Sequence, residues 1–150
     1  MRVAIAADHA GLQRKNEVGS ALREDGHEVL DLGTHDITPI DYPDVAERLA
    51  APLLDGRAER GVLICGSGVG AAIAANKIRG IRAGLCHDSY SAHQGVEHDD
   101  MNVLVLGERV IGTELAKELT RIFVAARFTS EERHIRRVGK VKAIEERQAR

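Results

Sequence analysis

The densest concentration of chemistry-bearing residues lies near the middle of the chain, in Leu63-Ile64-Cys65-Gly66-Ser67-Gly68-Val69-Gly70. An apolar, β-favouring run ends on a cysteine, and three glycines then alternate with small residues. Ala71-Ala72-Ile73-Ala74-Ala75-Asn76-Lys77 continues in a helical pattern. The order strand, tight turn, helix start gives a set of backbone N–H groups suited to an anion or a developing oxyanion. A thiol at the lip of such a turn is poised for reaction, because a helix N-terminus favours the thiolate. The bland alternative is a small buried hydrophobe. That reading suits Cys86, which ends another apolar run with no glycine turn after it.

These residues need elements to hold them. Val3–Ala7, Glu28–Leu32, Gly61–Cys65, Ile81–Cys86 and Val103–Leu106 read as short apolar strands. Helical patterns separate them, from Leu12 to about Asp25, from Asp44 with a break or kink at Pro52, after the glycine turn, from Ser89 to about Val96, and from Gly112 to Ala126. Strands alternating with helices predict an α/β fold: a three-layer, Rossmann-like arrangement with a five-stranded parallel sheet and helices on both faces. The tail from about residue 130 carries Ile135, Val138, Val141 and Ile144 every third residue, an amphipathic helix with a narrow stripe. That stripe packs on its own domain or docks on a second subunit.

In open parallel sheets, ligands bind beyond the carboxyl ends of the strands. Here those ends carry Asp8 and His9, Cys65 with its glycines, His87 and Asp88, and Gly107 with Arg109. His98 stands in a polar loop, Glu97-His98-Asp99-Asp100-Met101-Asn102, as a solvated residue or as an acid–base group titrating near neutral pH. Arg133, His134, Arg136 and Arg137 are a solvated helix face or a phosphate clamp.

The 150 residues fit one domain, with a formal charge of −2 and 3% aromatic residues. That balance offers no basic field or stacking platform for nucleic acid. No apolar run is long enough for a bilayer, and two cysteines outside any paired motif suit a reducing, cytoplasmic setting. No HxxH or HExxH spacing indicates a metal. Gly66-x-Gly68-x-x-Ala71 followed by Asp88 loosely satisfies a dinucleotide pattern, but after the third strand instead of the first.

Taken together, the chain resembles the ribose-5-phosphate isomerase B family, which includes the galactose-6-phosphate isomerase subunits. The resemblance is carried by Ala7-Asp8-His9-Ala10-Gly11, Asp41-Tyr42-Pro43-Asp44, the Cys65–Gly70 turn leading into Asn76-Lys77, and Gly80-Ile81-Arg82-Ala83. His98 with Asp100 and Asn102, Leu106-Gly107-x-Arg109-Val110, and Arg133-His134 with Arg137 complete it. It implies aldose–ketose isomerisation of a sugar phosphate through an enediolate, with no metal or nucleotide cofactor. It implies Cys65 as the proton-transfer base, Ser67 hydrogen-bonding beside it, and the amides of Gly66, Gly68, Val69 and Gly70 around the enediolate oxygen. His98 would assist ring opening, Asp8, His9, Asp99 and Arg109 would touch substrate, and Arg133 and Arg137 would bind phosphate. It further implies a homodimer or dimer of dimers with each site shared between subunits. Two departures bear on the sugar. The family usually has an amide where Asp99 stands, and Gly-Gly where Glu131-Glu132 stand, in a segment one residue longer. The reading from another class is a non-catalytic nucleotide- or sugar-phosphate-binding module of Rossmann-like fold.

Overall fold

The computed structural model describes residues 1–148, so Ala149 and Arg150 of the tail lie outside the described residues. Five parallel strands run in the order β2-β1-β3-β5-β4. They are β1 Arg2–Ala7, β2 Glu28–Asp31, β3 Arg60–Cys65, β4 Ala83–Leu85 and β5 Val103–Gly107. Alternation along the strands sorts side chains onto two covered faces. Val3, Ile5, Ala7, Val62, Ile64, Leu104 and Leu106 point to one core, shared with α1 Leu12–Glu24, α4 Ser89–Asp99 and α5 Thr113–Ala125. Ala4, Ala6, Leu63, Cys65, Val103 and Val105 point to the other, shared with α2 Tyr42–Leu54 and α3 Val69–Ala75. The expected three-layer arrangement is what the chain adopts.

Several boundaries differ from the sequence reading, each for a local reason. Helix α2 starts at Tyr42 and not at an Asp44 cap, because Pro43 fits the first helical turn, where its missing N–H costs nothing. Pro52 lies in the last turn and does not end the helix, which runs on to Leu54. Strand β4 shrinks to three residues, since the flanking Arg82 is tied to Asp100 at 2.8 Å and its amide donates to Asn102 Oδ1 at 2.7 Å. On the open edge of β4, the Asn76 carboxamide bonds both backbone groups of Ala83, at 2.9 and 2.8 Å, closing an edge otherwise free to pair.

The tail is helix α6, Glu132–Gln148, and it packs against α4. Val138 and His134 are buried there, while Ile135, Val141 and Ile144 each stay more than half exposed. Most of the stripe is therefore uncovered on its own chain. A groove of about 1000 Å³ runs between α6 and the β4 edge, its walls including Leu85, Met101, Val141 and Ile144. No described helix is long and apolar enough to cross a membrane.

One ion pair locks α1 to the sheet. The Lys15 side chain is fully buried, and Nζ contacts both Asp31 oxygens at 2.8 Å. Asp31 also accepts from the Gly33 amide at 2.9 Å. Burial opposes ionisation of Asp31, but the Lys15 and Gly33 hydrogen bonds and the Lys15 charge outweigh it, and its pKa is lowered. Asp31→Asn strands a buried ammonium and should destabilise the fold by ~3–5 kcal/mol in denaturant titration. Lys15→Met should cost less, because the Asp31 side chain is 25% exposed and takes up water. Since the folded pKa lies below the unfolded ~3.9, this contribution is complete above that pH. It should disappear as pH falls through the lower folded value.

Candidate active site

Cys65 closes β3, and the chain must then reverse into α3 over Leu106 and Leu85. Gly68 makes that turn at φ 84°, a left-handed conformation that also suits its setting: an added Cβ would lie 2.5 Å from Leu85 Cδ1. The turn brings the Gly68 amide onto Cys65 Sγ, to which it donates at 3.1 Å. Ser67 Oγ accepts from the Val69 amide at 3.2 Å, which leaves its hydroxyl proton free to donate outward. Two of the amides expected to face an anion, those of Gly68 and Val69, are therefore already engaged. The amides of Ser67, Gly70 and Ala71 donate to no protein group among the described residues.

Around this turn the sheet edge collects the other expected residues. The Arg109 guanidinium lies against Gly66, 3.4 Å from where a Cβ would be, and the Arg109 amide donates to Gly66 O at 2.9 Å. Asp8 is buried, and its Oδ1 accepts from the Ala10 amide at 3.0 Å, capping the short turn His9–Gly11. His9 is exposed, and its Nδ1 accepts from the Ile40 amide at 3.2 Å, while Nε2 has no protein partner among the described residues. Tyr42 closes the side. Its ring packs so tightly on Gly70 that a Cβ there would come within 2.8 Å of Cζ. The sequence reading assigned Tyr42 no role; its signal was the Asp41-Tyr42-Pro43-Asp44 motif.

Two neighbours are occupied with the fold. His87 Nε2 accepts from the Gly107 amide at 3.0 Å, and burial lowers its pKa. Asp88 caps α4 by accepting from the Ser91 amide at 2.8 Å, which removes the support for a ribose-binding acid. Cys86 is buried, and loss of water, then the Asp88 charge, pushes its pKa up to about 11. Among the described residues, no three His, Cys, Asp or Glu side chains converge as a metal site.

The remaining expected residues are elsewhere. Helix α4 leaves the carboxyl edge and extends through Glu97, His98 and Asp99, so the polar segment read as a loop is the helix's last turn. Its 11 residues cover about 16 Å at 1.5 Å per residue. They end beside Asn102, whose carbonyl accepts from Gly61 at the start of β3. His98 and Asp99 thus stand at the amino edge of the sheet, opposite Cys65. Asp99 and Arg137 both line the groove beside α6. Arg133 is exposed and paired to Glu131 at 3.0 Å. One chain therefore carries two separate clusters: the thiol, the glycine turn, Asp8, His9 and Arg109 at one edge, and His98, Asp99, Arg133 and Arg137 at the other.

The ribose/galactose isomerase family model matches residues 3–141. The chain belongs to that family. Its relatives include ribose-5-phosphate isomerase B of Escherichia coli K12, 43% identical over 146 residues and 97% of each chain. The D-erythrulose-4-phosphate isomerase of Pectobacterium atrosepticum is 45% identical over 131 residues, 85% of each chain. The solved structure of Clostridium thermocellum ribose-5-phosphate isomerase B superposes with a TM-score of 0.95, at 43% identity and 99% coverage of both chains. Family membership makes the chain a sugar-phosphate aldose–ketose isomerase, and two of its relatives at similar identity bear the names of different sugars.

Proposed function

We propose that this protein interconverts a phosphorylated aldose and its ketose, using Cys65 as the base. The observation that carries the reading is the Cys65 thiol, held by the Gly68 amide beside the unpaired amides of Ser67, Gly70 and Ala71. In this reading the Cys65 thiolate takes the C2 proton of the open-chain aldose. The electron pair moves into the C1–C2 bond, and the carbonyl oxygen becomes an enediolate anion facing the unpaired amides. Return of the proton from sulfur to C1, with the hydroxyl proton passing from O2 to O1 beside Ser67, gives the ketose. Arg109, His9 and Asp8 hold the sugar, and no step needs a metal or a nucleotide.

The separation of the two clusters supports a second subunit as the source of His98 for ring opening and of Arg133 and Arg137 for the phosphate. The whole chain is then one isomerase domain working as a homodimer or dimer of dimers, with the tail from about residue 130 lying against the partner. Its unpaired cysteines suit the cytoplasm.

Asp99 supports a sugar choice of its own. It is an exposed carboxylate at a helix C-terminus, the end where the helix dipole disfavours an anion. A panel of four- to six-carbon sugar phosphates, run in excess chelator without nicotinamide, tests the reading: ketose should form from at least one. Asp99→Asn should shift relative kcat/KM towards ribose 5-phosphate by about tenfold or more, since a hydrogen bond to a charged group contributes ~1.5–3 kcal/mol. Binding without turnover across the panel would favour a non-catalytic module instead.

A further inference from the structure

His98 does not stand alone at the amino edge. The His134 ring is stacked on it, centroids 4.1 Å apart and planes 24° from parallel. His134 is 1% exposed, an unusual depth for a residue flanked by Arg133, Arg136 and Arg137. Its Nδ1 is 2.7 Å from Thr129 Oγ1, and the Thr129 amide donates to Glu97 O at 3.0 Å, the residue before His98. From the other side, Gln94 Nε2 lies 2.9 Å from His98 Nδ1. His98 Nε2 has no protein partner among the described residues. One ring nitrogen is thus held, one face is covered, and one nitrogen is free.

We propose that His134 is the positioning residue for His98: stacked beneath it and pinned by Thr129, it fixes the plane of the imidazole so that the free Nε2 meets the ring oxygen of a cyclic sugar phosphate. This rests on the reading of His98 as the ring-opening group. The charges around the pair suit such a seat. Loss of water lowers the His134 pKa, and His98, Arg133 and Arg137 lower it further against an opposing Glu131. On α4, Glu97 is 3.0 Å from His93, and Asp99 faces the groove. The influences on His134 favour its uncharged form as a stacking surface.

The chemistry of the substrates provides a selective test. A pentose 5-phosphate closes into a ring through O4, whereas in a tetrose 4-phosphate O4 carries the phosphate and that ring cannot form. His134→Ala should lower kcat on ribose 5-phosphate by on the order of 10²-fold with little change in KM, the scale for misplacing a reacting group by about 1 Å. Turnover of erythrose 4-phosphate should be nearly unchanged, which also reports that the variant is folded. His134→Phe keeps a stacked ring and should restore most of the loss. Equal losses on both sugars, or no loss on either, would overturn the positioning role. Proton–proton nuclear Overhauser contacts between the two rings, in protein without substrate, read the stack independently of turnover. Their absence would overturn the proposal, while their presence in a protein that isomerises no sugar phosphate of the four- to six-carbon panel would overturn the isomerase reading alone.

Discussion

Replacing Cys65 by alanine should lower kcat by ~10²–10⁴-fold, the usual contribution of a positioned acid or base, with substrate affinity largely kept. The expectation follows from what the thiol touches. Sγ is held by the Gly68 amide at 3.1 Å, within a turn whose Ser67, Gly70 and Ala71 amides have no protein partner among the described residues, whereas the groups assigned to phosphate and ring opening lie elsewhere. An interaction made only in the transition state lowers kcat without raising KM. Cys86→Ala is the control. That thiol is buried against Met101, has its pKa raised to about 11, and should change stability alone. If Cys65→Ala retains more than about a hundredth of wild-type kcat, the proton-transfer role passes to another residue, and Glu97 and Asp99 are the carboxylates to test next.

The Cys65 turn was legible in the sequence because every cue in it is local. An apolar strand, alternating glycines and an alanine-rich helix start leave one geometry open, and Gly68 takes the positive φ that geometry requires. The five parallel strands were legible for the same reason, since buried strands read as continuous apolar runs. The position of His98 was not. Glu97, His98 and Asp99 lack apolar spacing, so they read as a loop. What extends α4 through them is Asp100, which adopts a left-handed φ of 52° while its amide and that of Met101 return to Val96 and Gly95 carbonyls. Aspartate adopts the left-handed region only occasionally, so Asp100 gave no more than a weak cue to a helix end. Burial of His134 was equally hidden. It lies four residues before Val138 on one face of α6, but its basic neighbours dominate the pattern. Asp100 and Asn102 turn out to hold the Arg82 and Gly80 loop together. No sequence spacing distinguishes such structural polar residues from site residues.

In the proposed shared site, Cys65 of one chain and the arginines of another act on the same sugar phosphate. Subunit exchange between two inactive variants, Cys65→Ala and Arg137→Ala, tests it most directly. In an isologous hybrid dimer, one site receives both lesions and the other receives neither. Equal mixing with random pairing should restore roughly a quarter of the wild-type sites, because half of the dimers are hybrid and each holds one intact site. Were each site built within one chain, every site in the mixture would still carry one lesion. A return of isomerase activity towards that quarter is the predicted result, and no recovery after verified subunit exchange would contradict the account.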